Sequence, residues 1–119
     1  MKTLFVVALL AVFAMSMLPA PEVIDLDGGR DKVWHALAFV TLAVVGFSAW
    51  PGRILVVAAG LLAYGAAIEL SQAATAHRHG DMLDWFADAV GVVGAIVAWR
   101  IVARIRRTLR RRRASDRTQ

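Results

Sequence analysis

Cysteine is absent from the chain, so there is no disulfide, no thiolate nucleophile, and no zinc or iron–sulfur site built on sulfur. Charge is sparse. Only 19% of the 119 residues are Asp, Glu, Lys or Arg, against about 25% in average soluble domains, while 59% are hydrophobic. That balance excludes an ordinary water-soluble globule and points to lipid. Proline occurs three times, at positions 19, 21 and 51, and each stands where an apolar run stops. The length allows one domain, with no room for a soluble catalytic domain beside a membrane part.

Four long apolar stretches are present: about residues 4–18, 33–50, 54–76 and 82–103. Crossing about 30 Å of hydrocarbon takes roughly 20 residues at about 1.5 Å each. In lipid each backbone polar group must be satisfied within its own segment, so helices follow. The expected fold is all-α, a small polytopic bundle of four transmembrane helices over residues 1–104, followed by a basic tail over 105–119. The first stretch is the shortest. Lys2, an apolar core and "SMLPA" also resemble a signal peptide, but Pro21 directly after the would-be cleavage site is unfavourable, so a retained helix is expected.

Orientation follows the distribution of Lys and Arg. With the tail in the cytoplasm, four crossings put eleven of the fourteen basic residues inside and leave Arg30, Lys32 and Arg78 outside. Both termini are therefore expected to be cytoplasmic. The tail "RIRRTLRRRRASDRTQ" could neutralise nucleic-acid phosphates, but an arginine run directly after a span reads first as a topology signal touching anionic headgroups. Membrane lipid is the expected partner there, and nucleic acid is not.

Charges inside the spans need a reason, since each costs at least about 2.5 to 3.5 kcal/mol near the bilayer centre. On the last stretch, Asp81, Asp84 and Asp88 share one helical face, continued by Gly91 and Ala95. Small residues let a neighbouring backbone approach, so the acidic face is expected to be the packed face. Gly65, Glu69, Gln72 and Ala76 make a similar stripe on the third stretch, and Asp31, His35 and Ala38 one on the second. Their depths agree. Asp31, Lys32, His35, Glu69, Gln72, Arg78, Asp84 and Asp88 are therefore expected to meet in the outer half of one bundle as a polar, ligand-binding pocket. The bland alternative is that these groups only hold helices together, and that Asp81 or Asp84 caps the last helix.

Three blocks carry a family resemblance: "DKVWHALAF" at 31–39, "IELSQ" at 68–72, and Arg78 followed by Asp81, Asp84, position 88 and Gly91. In order and spacing they resemble the VanZ-like membrane protein family, over about residues 20–98. That family's pattern runs Asp-Lys-x-x-His, then Glu-x-x-Gln, then Arg with Asp six, Asn ten and Gly thirteen residues on. One position departs: Asp88 stands where the family has Asn, which adds negative charge to the pocket and removes an amide donor. The resemblance implies a multi-pass protein of the bacterial plasma membrane, related to the cell envelope and to low-level resistance to glycopeptides, teicoplanin above all. It implies no reaction.

Several functions fit these residues. The first is a non-enzymatic protein whose outward pocket binds or moves a lipid or lipid-linked envelope-precursor headgroup, with Arg78, Lys32 and His35 as charge-assisted donors to phosphate. An intramembrane lipid hydrolase or transferase would need His35, oriented by Asp31 or Glu69, as general base, and Ser71 is the nearest nucleophile. "HRH" at 77–79 with the aspartates offers metal-ligand types, but an H-x-H among small and charged residues is common without metal, so no cofactor is expected. Ion or proton coupling through Glu69 and Asp88 would need the short helices to oligomerise. A purely structural membrane subunit closes the set.

Overall fold

The computed structural model describes residues 1–18, 28–75 and 80–116, the side chains of 28–31 excepted. It is an all-α bundle of four helices: α1 (Lys2–Met17), α2 (Gly28–Ala49), α3 (Ile54–Ala73) and α4 (Met82–Ser115). Three of the helices are long and apolar enough to cross a membrane, over Lys32–Ala49, Ile54–Ala73 and Met82–Asp116. The chain is thus a membrane protein. Against the expected four spans, α1 is shorter: its 16 residues reach about 24 Å, less than the roughly 30 Å of hydrocarbon.

Each expected segment became a helix, but the ends moved. α2 begins at Gly28 instead of 33, because hydropathy marks where a helix enters lipid and not where its backbone hydrogen bonding starts. α3 ends at Ala73, with Ala74 as its C-cap, short of the expected end at 76. α4 runs unbroken to Ser115, past the expected helix end at 103, so the basic tail is helical up to Arg113. Arg, Leu and Ala are good helix formers, and neither glycine nor proline follows Gly94 within the helix. At 34 residues α4 is about 51 Å long. The molecule measures 69 Å along its longest axis, more than the roughly 40 to 45 Å of a whole bilayer.

A tight turn makes α2 and α3 an antiparallel pair. Arg53 N–H donates to the Trp50 carbonyl at 3.1 Å across Pro51 and Gly52. Proline supplies the fixed φ of the second turn position, and the third requires a left-handed φ, here +87° at Gly52. α2 lies at the centre and packs most extensively on α4. Its Phe39, Leu42, Ala43 and Phe47 are buried against Ala58, Leu61 and Ile68 of α3 and Val92 and Ala95 of α4. Contact is closest at Gly91, where even a methyl group would meet the Ala36 carbonyl oxygen at 2.4 Å. Lipid tails are as apolar as leucine, so this close backbone approach, not exclusion from water, is what associates the helices.

Polar groups within the spans tie α1 and α4 to α3. Tyr64 Oη donates to the Leu9 carbonyl at 2.6 Å, Gln72 Nε2 to the Ser16 carbonyl at 3.0 Å, and Trp85 Nε1 to the Leu62 carbonyl at 3.0 Å. Outward, the helices present Leu4, Leu10, Leu55, Leu70, Phe86, Val90 and Val97. An apolar surface of that extent suits lipid and not water.

Candidate functional site

The acidic stripe of α4 faces α2. Asp81 is the N-cap of α4: its Oδ1 accepts from Leu83 N–H at 2.8 Å, satisfying one of the donors that a helix start leaves open. Its Oδ2 accepts from Lys32 Nζ at 3.0 Å, and the same ammonium donates to Asp84 Oδ1 at 2.8 Å. The Leu83 N–H bond and then Lys32 hold the Asp81 carboxyl below the usual carboxylate range. One turn further in, the His35 imidazole stands between two carboxylates. Nδ1 is 3.1 Å from Asp88 Oδ1, and Nε2 is 4.0 Å from Asp84 Oδ2. Lys32 and His35, at i and i+3, thereby engage Asp81, Asp84 and Asp88 in turn.

α3 closes the site. Glu69 Oε2 accepts from the Asp81 backbone N–H at 2.7 Å, which holds the entry to α4 against α3. Gly80 permits this approach, since a Cβ there would meet the Glu69 carbonyl oxygen at 2.6 Å. Gly65 makes room beside Asp88, whose Oδ2 would lie 2.9 Å from a methyl on that glycine. Asp88 is 0% exposed and Glu69 8%. Two of their oxygens, Glu69 Oε1 and Asp88 Oδ2, are buried with no hydrogen-bond partner among the described residues. One ligand-type atom from each of His35, Glu69 and Asp88 lies within 4.8 Å of the others.

Of the eight expected pocket residues, Lys32, His35, Glu69, Asp84 and Asp88 come together. Asp31 and Arg78 lie outside the described side chains, as do the histidines of "HRH". Gln72 is buried on the same face of α3, but its amide serves the C-terminal end of α1. Lys32 is engaged by two carboxylates and His35 by a third, so acids position both bases. Ser71, weighed as a nucleophile, turns its hydroxyl back to the Ala67 carbonyl of its own helix at 2.7 Å. Among the described side chains, four carboxylates meet one lysine and one imidazole, and the surplus is negative.

An apolar groove of about 280 Å³ adjoins the cluster, a feature the residue pattern did not announce. Val12, Met15 and Ser16 of α1, Trp34, His35, Ala38 and Phe39 of α2, and Ile68 of α3 line it. His35 therefore belongs to both the groove and the carboxylate cluster. A second groove of about 310 Å³ lies against the α2–α3 turn, between α1 and α3, with Trp50, Arg53 and Tyr64 in its walls. It touches none of the cluster residues. Tyr64 and Trp85 also escaped the residue pattern, although a polar tip within an apolar span signals a hydrogen-bonded tie.

Comparison with protein-family models, with curated proteins and with solved structures finds no match to this chain.

Proposed function

We propose that the chain is a VanZ-like, multi-pass protein of the bacterial plasma membrane that binds or moves a lipid or lipid-linked envelope precursor. The hydroxyl, amide or ammonium donors of the headgroup meet the acidic cluster of His35, Glu69 and Asp88, and an acyl or prenyl chain sits in the adjoining groove. α1 crosses together with the three longer helices, both termini are cytoplasmic by the distribution of basic residues, and the pocket faces outward. Anionic headgroups contact the arginines at the end of α4. Reduced teicoplanin susceptibility is the cellular consequence.

The observation that carries this reading is the double position of His35, in the wall of an apolar groove and in hydrogen-bond reach of a buried carboxylate. An amphiphile needs just that junction: a slot for its chain and polar groups at one end. The outer clamp of Lys32, Asp81 and Asp84 satisfies itself and serves packing, which leaves the deeper pair for the ligand.

Ala38→Phe tests the groove without changing any charge. The variant and wild type are brought to equal membrane levels, purified in mild detergent, and their bound lipid is identified by native mass spectrometry; teicoplanin sensitivity of the host cells is scored in parallel. Loss of both bound lipid and phenotype is expected. Unchanged lipid and unchanged sensitivity would remove the groove from the function.

A further inference from the structure

We propose that His35, Glu69 and Asp88 form a binding site for a divalent first-row transition cation, with Zn²⁺ as the first candidate. The three residues come from three helices, α2, α3 and α4, and converge at one depth. His35 Nδ1 and Asp88 Oδ1 are already 3.1 Å apart, close to the roughly 3.4 Å between two ligand atoms each about 2.1 Å from a tetrahedral metal. Glu69 brings a ligand-type atom within 4.8 Å of one on each of the other two residues. Among the described residues Glu69 Oε1 has no hydrogen bond to give up, and neither has Asp88 Oδ2.

Buried carboxylate oxygens without a partner call for an explanation, and an ion is one of the few on offer. Charge argues the same way. Lys32 bonds both outer acids, Asp81 and Asp84, whereas among the described residues Glu69 and Asp88 have only the imidazole between them. Two carboxylates with a neutral imidazole balance a doubly charged cation, and burial makes an unbalanced pair costly. One nitrogen and two oxygens suit Zn²⁺ or Mn²⁺, while Ca²⁺ and Mg²⁺ favour all-oxygen sets.

The surroundings of the imidazole fit as well. With Nδ1 on the metal, Nε2 faces the Asp84 carboxylate across 4.0 Å, beyond direct hydrogen-bond distance, and Asp84 is itself held by Lys32. At that range the carboxylate favours a positively charged centre at the imidazole through its charge alone. Three protein ligands leave one position of a tetrahedron for water or for an anionic oxygen. The site stands on this geometry whether or not a lipid headgroup is the pocket's ligand.

The test uses the full chain in detergent micelles, stripped with chelator and then offered Zn²⁺ alone, with bound metal counted by elemental analysis and affinity read by competition against a chromophoric chelator. One equivalent per chain is expected. Glu69→Gln and Asp88→Asn, each confirmed helical and monodisperse, should weaken binding by ~100-fold or more, the upper end of what loss of a mere supporting residue costs. His77→Ala/His79→Ala should leave it unchanged. Co²⁺ on the wild-type protein, which needs no variant to fold, should give the intense ligand-field bands of a tetrahedral site. Absence of stoichiometric binding, survival of binding in both carboxylate variants, or loss of it in the His77/His79 variant would each overturn the proposal.

Discussion

Replacing Gly91 with alanine tests the central packing contact with a single methyl group. The added Cβ would stand 2.4 Å from the Ala36 carbonyl oxygen, 3.1 Å from its carbonyl carbon and 3.2 Å from its Cα. All three are backbone atoms in the interior of α2, so no side-chain rotation relieves the overlap. Ordinary contact begins at 3.4 Å, and the two helices must therefore part by about 1 Å. Overpacking of this kind costs about 1 to 3 kcal/mol. The same displacement would stretch the 3.1 Å His35–Asp88 contact, because Ala36 follows His35 directly and Gly91 lies under one turn from Asp88. Gly94→Ala is the matched control: a Cβ there meets nothing within 4 Å, and alanine is the better helix former by roughly 1 kcal/mol. Reversible unfolding in mixed micelles, followed by circular dichroism, should place Gly91→Ala below wild type and Gly94→Ala at or above it. Equal stabilities for the two variants would refute the close α2–α4 contact.

Three further outcomes follow from the site. A double-mutant cycle of Lys32→Met and Asp84→Asn should show a coupling of about 0.5 kcal/mol or more, since Lys32→Met strands Asp84 while Asp84→Asn leaves Lys32 only Asp81; a coupling of zero would mean that the 2.8 Å ion pair contributes nothing. The Asp81 carboxyl is held below the usual carboxylate range when folded, so it adds stability above its unfolded pKa of about 3.9, and that contribution is lost as pH falls through the lower folded value. Asp81→Asn, which keeps a capping side chain, should accordingly unfold less steeply than wild type on the acid side, and superimposable acid limbs would disprove the linkage. Gly65→Ala should leave helicity intact yet weaken Zn²⁺ binding, because the methyl would press on Asp88 Oδ2 at 2.9 Å and on the Phe39 ring at 3.3 Å; undiminished binding would show that Oδ2 is not needed.

What could be read from residue order was whatever depends on one helix at a time. The i, i+3, i+7 spacing of Asp81, Asp84 and Asp88 identified the buried face of α4, and Gly65, Glu69 and Gln72 that of α3, because facing is a property of helical period alone. Pairing between helices was not legible. That acids would hold Lys32 could be expected, but not that they would be Asp81 and Asp84, since its partners depend on how far α4 slides along α2. Gln72 carried the same ambiguity, and its buried amide found the Ser16 carbonyl at the end of α1. The helical arginines beyond residue 103 were missed for another reason: charge ends a membrane span without ending a helix.

Charge pairing alone does not settle that slide. A shift of α4 by one turn, about 5.4 Å, would bring Asp88 toward Lys32 and still oppose a base to an acid. Such ladders are nearly degenerate, and interhelical hydrogen bonds in membranes are each worth only about 0.6 kcal/mol on average. The small residues remove the degeneracy. Gly91 admits the Ala36 backbone only in the observed register; one turn away that place would fall to Ala87 or Ala95, whose Cβ the 2.4 Å approach excludes. Gly80 acts likewise against the Glu69 carbonyl, where the chain enters α4. The glycines thus decide where the acids stand, and they bring Asp88 level with His35 and Glu69. A surplus of buried carboxylate is what this register leaves, and that surplus is what the proposed cation would balance.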